Sequence, residues 1–220
     1  MYQLSKRLFD IISSSVALIL LIPFFVPIII MLKLTGEGEV FYLQKRIGYK
    51  NTYFDIIKFA TMLKNSLNMG SGSITLRNDP RVTPLGKFLR KTKINELPQI
   101  LNVFLGSMSV VGPRPLVDKT FNAYNKEVQA NIYNSKPGIT GIGSIIFRDE
   151  EKMISESKLD PHVFYQETIA PYKGALEMWY QSKKSFFLDI LLIFLTVWVV
   201  IFSKSNLPYT LFKDLPKRPF

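Results

Sequence analysis

The 220-residue chain reads as an α+β fold, mostly helical, bracketed by two apolar segments. Residues 11–32 form an uncharged run of 22, and residues 186–202 a second run of 17 with a single charge, Asp189. Between them, residues 40–42 and 53–59 are rich in β-branched and aromatic types, as short strands are. Several stretches beyond residue 84 place apolar residues at helical spacing. A few short strands among many helical stretches predict the mixed, helix-dominated class.

The first apolar run, IISSSVALILLIPFFVPIIIML, would reach about 33 Å as a straight helix, enough to cross a hydrocarbon core. It is long for a secretory signal, and no small-x-small cleavage pattern follows it. Pro23 and Pro27 each remove a backbone donor, so a kink is expected near Pro23. Basic residues flank both ends: Lys6 and Arg7 before, Lys33, Lys45 and Arg46 after. The positive-inside rule asks both flanks to face the cytoplasm, which a re-entrant hairpin allows, whereas length alone allows a span. From the residues both readings stand.

Residues 53–59 follow a turn through Gly48 and Asn51. Residues 66–78 read as a mobile loop and Asp79-Pro80-Arg81 as a turn. Helices are expected over 85–90 and 96–104, the second with Asn95 at or next to its N-terminus, Pro98 in its first turn and Gly106 at its end. Residues 120–134 read as another helix. The second apolar run would extend about 25 Å, short for a full crossing. With lysines at 183, 184 and 204 and Trp179, Tyr180 and Trp198 nearby, it reads as an interfacial or membrane-embedded helix; a core helix is the alternative. The resulting segments are 1–35, 36–185 and 186–220.

Composition narrows the function. Apolar residues make up 47%, and the mean hydropathy of +0.14 is high for a soluble domain. A net charge of +11 suits an anionic partner: nucleic acid, an anionic membrane or a phosphate-rich substrate. No nucleic-acid recognition motif accompanies the charge. The absence of cysteine excludes disulfides and thiolate metal sites, and a single histidine, His162, excludes a histidine cluster.

Chemistry concentrates between residues 77 and 151. Asn95-Glu96 alone would be an ordinary cap with a first-turn acid. Around it lie Arg77, Arg81, Lys87, Arg90, Lys91 and Lys93. Arg114 stands between Pro113 and Pro115, which stiffen the backbone under a guanidinium suited to bidentate phosphate binding. Gly112 permits close approach to the main chain, and the turn from Lys136 to Gly141 precedes Arg148, Asp149, Glu150 and Glu151. Basic clusters converging on one acid would make a diphosphate site.

Together these segments resemble the bacterial sugar transferases. The matching stretches are Lys6, Arg7 and Asp10, FDIIKFATM at 54–62, DPRVTPLGKFLRKTKINELPQILNVFLGSMSVVGPRPL at 79–116, KPGITG at 136–141, and Tyr180 with Ser185, Leu188 and Asp189. Their order covers nearly the whole chain and is similar to the phosphoglycosyl transferases with a re-entrant membrane helix. The resemblance implies a small catalytic domain on the cytoplasmic face of the bacterial inner membrane, with a re-entrant N-terminal helix broken at Pro23 and interfacial amphipathic helices. It implies UDP-sugar and polyprenyl phosphate as substrates, membrane lipids as surroundings and Mg²⁺ as cofactor. In that family an aspartate attacks the β-phosphate, UMP leaves, and the phosphosugar passes to the polyprenyl phosphate. By the same resemblance Glu96 is the second acid and metal ligand, and Lys58, Arg90, Arg114, Lys136 and Arg148 face phosphate.

Three departures qualify this. Asn95 stands where the family has its nucleophilic aspartate, Lys136 where it commonly has arginine, and IGSIIFRDEE replaces the more usual LAQVNGR, although Arg148 still aligns. Either Glu96, Asp149 or Glu150 takes over, or the polyprenyl phosphate attacks directly, or the chain is a silent relative that binds nucleotide sugar or a partner. Sugar choice is expected in the loops around residues 66–78 and 143–158. Oligomeric state is unspecified, a homodimer being one option.

Overall fold

The computed structural model describes residues 1–66, 79–203 and 205–219. They fall into two compact units, one of residues 11–44 and 55–105, the other of residues 1–10, 45–54 and 106–220. The helical and strand content agrees with the mixed, mostly helical class expected. The loop expected at 66–78 lies, beyond Ser66, outside the described residues.

Helix α1 (Tyr2–Leu34) contributes to both units and carries Pro23 and Pro27 within it. The missing N–H groups leave the carbonyls of Ile19 and Pro23 without their usual ladder donors. An 18-residue window of α1 with mean hydropathy 2.9 is only 11% buried, so the helix is long and apolar enough to cross a membrane and is no core helix. Ile12, Val16, Ile19, Leu20, Phe24 and Ile30 are all exposed.

The strands β1 (Phe41–Ile47) and β2 (Tyr53–Phe59), whose residues 41–44 and 55–59 belong to the first unit, pair with each other. β1 runs past the expected residues 40–42 because its continuation, Gln44-Lys45-Arg46, is polar and carries no alternation to read. Phe59 is the hub of a small core, meeting Phe25 edge-on at 5.2 Å and Phe41 stacked at 5.6 Å. Ile28, Leu32 and Leu89 complete it. Helix α2 (Pro84–Lys91) starts as its residues dictate: Thr83 Oγ1 accepts from the Gly86 amide at 3.0 Å and Pro84 sits in the first turn. The helix expected at 96–104 is shorter. A 3-10 turn (Ile94–Glu96) opens from Lys93 at φ 60, and α3 (Gln99–Leu105) begins only after Pro98. Asn95 therefore lies inside the 3-10 turn, away from any helix cap.

The second unit is built around α9 (Ala170–Lys183), α10 (Phe186–Ile201) and α6 (Ile142–Ile146). Ile142, Ile169, Leu176, Leu192 and Leu195 are fully buried among them. Strands β3 (Ser109–Val111) and β4 (Gly138–Thr140) pair in parallel, Ser109 with Gly138 and Val111 with Thr140. The single helix expected over 120–134 is two, α4 (Asp118–Phe121) and α5 (Lys126–Asn131), since Asn125 caps the second by accepting from the Val128 amide at 2.8 Å. Residues 143–158 form α6 and α7 (Glu150–Glu156), where a loop is expected. Helix α8 (Pro161–Phe164) continues through a π-helical turn (Tyr165–Ile169) into α9.

The apolar run 186–202 is neither wholly core nor wholly surface. Leu188, Asp189, Leu192, Leu195 and Val199 face the core, while Phe187, Ile190, Phe194, Val197 and Ile201 are exposed. Asp189 is 3% exposed and fully partnered. Lys6 Nζ reaches its Oδ2 at 2.6 Å, Tyr2 donates to Oδ2 at 2.9 Å and Tyr180 to Oδ1 at 2.8 Å. Asp10 accepts from Ser109 Oγ at 3.0 Å and the Val110 amide at 2.9 Å. These bonds dock the start of α1 on β3 and α10.

Glu177 on α9 is 2% exposed and accepts from the Gly143 amide, and its Oε2 has no hydrogen-bond partner among the described residues. Burial pushes its carboxyl up to about 7 from 4.5, with the charge of Lys173 opposing. A raised folded value means that the native state holds the proton longer, so stability falls as pH rises from 4.5 to about 7 and is level above. Glu177→Gln should abolish this slope in thermal-unfolding midpoints measured across that range in detergent. A slope of parental size in the variant would assign it to other groups.

Candidate active site

In the first unit, Lys58 near the end of β2 meets Glu96 in the 3-10 turn. Lys58 Nζ lies 3.3 Å from Glu96 Oε1, and their side chains are 14% and 27% exposed. The pair is thus accessible but partly screened from water, a setting in which charges count for more than on an open surface. Asn102 of α3 fixes it from below: its Oδ1 accepts from the Ile57 amide at 2.9 Å and its Nδ2 donates to the Asp55 carbonyl at 2.8 Å. One side-chain amide thus satisfies two β2 backbone groups immediately before Lys58. Arg90 on α2 is half-buried, with Nη1 3.5 Å from Thr61 Oγ1.

Asn95 is buried at 8% exposure, and its Oδ1 has no hydrogen-bond partner among the described residues. Such an acceptor costs about 1–3 kcal/mol relative to a paired one. Arg81 is spent structurally. Its Nε and Nη2 grip the two oxygens of Asp79 at 2.9 and 2.6 Å, and its Nη1 reaches the Ser66 carbonyl at 2.7 Å.

The second unit holds the other candidate cations. Arg114 is exposed while Pro113, Pro115 and Leu116 beside it are buried. The turns carrying Arg114 and Lys136 are joined through backbone: the Gly112 amide donates to the Thr140 carbonyl and the Gly138 amide to the Pro113 carbonyl, both at 2.9 Å. A Cβ on Gly112, Gly138 or Gly141 would stand 2.1–2.3 Å from main-chain atoms of the facing segment, so only glycine allows this approach. Lys136 is half-buried, and burial, then the charge of Arg7, lowers its pKa while Asp10 opposes. Arg148 donates to the Val199 carbonyl in the last turn of α10, so part of its fork serves a helix end. Exposed Asp149 and half-buried Glu150 are the other acids weighed; Glu150 Oε2 pairs with Lys173 Nζ at 2.6 Å.

Lys58, Arg90, Asn95 and Glu96 thus share one unit, and Arg114, Lys136 and Arg148 the other. Sequence reasoning missed Asn102, although an amide on the apolar stripe of a helix is a legible signal. It also missed Tyr133, whose apolar neighbours make it look like core. Among the described residues no three His, Cys, Asp or Glu side chains group as a metal site.

A helix exposing this much apolar surface, in a chain that pairs acid with base among cations, describes a membrane-associated enzyme for anionic substrates. The chain belongs to the bacterial sugar transferase family, whose model matches residues 1–203. It is 33% identical to the exopolysaccharide production protein ExoY of Rhizobium meliloti (strain 1021), covering 92% of this chain and 88% of that protein. It is 34% identical to the undecaprenyl-phosphate glucose phosphotransferase of Komagataeibacter xylinus, covering 92% of this chain and 37% of that protein. With the UDP-glucose:undecaprenyl-phosphate glucose-1-phosphate transferase of Klebsiella pneumoniae it shares 36% identity, over 91% of this chain and 41% of the relative. The chain therefore spans well under half of those two larger relatives.

Asn102→Ala should strand the Ile57 amide and the Asp55 carbonyl and lower unfolding free energy by about 1–3 kcal/mol. Denaturant unfolding in detergent measures this, and an unchanged midpoint would remove Asn102 from the support of Lys58.

Proposed function

We propose that the protein transfers a sugar-1-phosphate from a UDP-sugar to polyprenyl (undecaprenyl) phosphate and releases UMP. This would be the first membrane step of a surface glycan: exopolysaccharide, capsule, O-antigen or glycoprotein glycan. The observation that carries the reading is Glu96, an accessible carboxylate held 3.3 Å from Lys58 in the stretch that matches the family. The names of the relatives support donor and acceptor classes.

Asn95 is a poor nucleophile, because its nitrogen lone pair is delocalised into the amide. Glu96 is the acid placed to substitute. Its oxygen would form a bond to the β-phosphorus as the bond to the bridging oxygen breaks, and UMP would carry away that electron pair. An oxygen of polyprenyl phosphate then displaces the carboxylate and takes the phosphosugar. Lys58 and Arg90 of one unit, and Arg114, Lys136 and Arg148 of the other, are each assigned to phosphate by this reading.

Mg²⁺ fits the residues present: Glu96 offers a carboxylate, and the orphaned Oδ1 of Asn95 a weaker oxygen donor. Mg²⁺ commonly takes one or two protein oxygens and completes its shell with phosphate and water. When bound it would offset diphosphate charge.

Purified protein in detergent with UDP-sugars, polyprenyl phosphate and Mg²⁺ should release UMP. Glu96→Gln should lower kcat by about a hundredfold or more, and full activity in that variant would sink the role given to this carboxylate. A second reading, a silent relative that binds nucleotide sugar or a partner, draws on the buried amide of Asn95. Absence of UMP with every sugar tested would favour it.

We also place the domain on the cytoplasmic side of the inner membrane, with α1 re-entrant. The carbonyls that Pro23 and Pro27 leave without ladder donors favour shallow insertion, where water and headgroups are near. The cysteine-free chain allows a direct check with Ser5→Cys and Thr35→Cys. An impermeant maleimide should label both from one side of oriented vesicles, and labelling from opposite sides would establish a span.

A further inference from the structure

The turn that presents Arg114 is held by a single phenolic oxygen. Tyr133 donates its hydroxyl hydrogen to the Arg114 carbonyl at 2.8 Å, and the same oxygen accepts from the Leu116 amide at 2.9 Å. The two bonds bracket Pro115, whose carbonyl lies 3.4 Å from Arg46 Nη1. The Leu116 carbonyl accepts from the Ile47 amide at 2.9 Å. Three successive carbonyls, at 114, 115 and 116, are therefore occupied, while Arg114 itself is exposed between two buried prolines.

Tyr133 is itself fixed. It is 1% exposed and stacks on Phe121 with ring centroids 6.1 Å apart. Its own carbonyl accepts from the Lys50 amide at 2.9 Å. On either side of it, Gln181 of α9 donates to the Ile132 carbonyl and to Ser135 Oγ, each at 2.7 Å. Burial moves the phenol well above its ordinary range, with the Leu116 amide opposing, so the proton donated to Arg114 stays in place at any working pH. Lys136 follows three residues later, so one rigid segment supports both turns.

We infer that Tyr133 is a positioning residue for substrate binding: its hydroxyl sets the backbone from Arg114 to Leu116 and thereby aims the Arg114 guanidinium at a phosphate. This rests on the reading of Arg114 as a phosphate-binding residue. Nothing in the inference requires Tyr133 to touch substrate. A guanidinium aimed by a loosened turn loses bidentate geometry, and displacements of about 1 Å can cost on the order of a hundredfold in rate.

The test is a double-mutant cycle on the full chain in detergent with Tyr133→Phe, Arg114→Ala and both together. Tyr133→Phe keeps the ring and deletes only the hydroxyl. UMP release gives kcat and KM for the UDP-sugar separately, and calorimetric titration with UDP gives a Kd that needs no turnover. Tyr133→Phe should lower kcat/KM, or weaken UDP, by about tenfold. In the Arg114→Ala background the same change should cost nothing further. Should Tyr133→Phe not purify folded, Arg46→Lys loosens the same turn at Pro115 and repeats the cycle.

Decrements that multiply, or parental values in Tyr133→Phe, overturn the inference while leaving Arg114 as a ligand. Parental values in Arg114→Ala, or no UDP binding by the parent chain, overturn the phosphate reading itself and the inference with it.

Discussion

The buried carboxylate of Asp189 organises the larger unit. Placed in an otherwise apolar helix, it would be costly without compensation, because an isolated buried charge loses hydration worth many kcal/mol. Lys6 and Tyr2 at the start of α1 and Tyr180 of α9 provide that compensation. Lys6 also donates to the Val111 carbonyl at 2.8 Å, so one ammonium links α1, α10 and β3. β3 leads directly into Gly112 and the Arg114 turn. The position of a phosphate-binding candidate therefore traces back to how one acid is neutralised.

Fold and site were legible to different degrees, for physical reasons. β2 and α2 could be read because their signals are local: β-branched and aromatic residues in one, apolar residues at helical spacing in the other. β1 was read short because its later residues are polar on an exposed strand. The helix at 96–104 was read long because its periodicity is real, whereas Lys93 at positive φ and Pro98 spend the first residues on a 3-10 turn. The division of α4 from α5 depends on a side-chain cap at Asn125, which periodicity does not report. α10 showed its apolar character plainly, but which face the core takes is a tertiary fact.

The cations were easier to nominate than to sort. Composition cannot say that Arg81 is consumed by Asp79 or that Arg148 reaches a helix end, because both depend on a partner's position. Asn102 and Tyr133 show the converse. Neither bears charge, yet each satisfies two backbone groups at the base of a candidate site. Glu96 stays accessible beside a buried Asn95, so the dipeptide joins an accessible carboxylate to an amide oxygen with no hydrogen-bond partner among the described residues.

The glycine crossing at 112, 138 and 141 has an evolutionary consequence. Where one added methyl would overlap main chain at 2.1–2.3 Å, there is no graded series of substitutions for selection to explore. Such a junction is inherited whole or lost. Any drift of this chain toward a different sugar must accumulate in side chains outside the crossing, with the crossing itself unaltered beneath them.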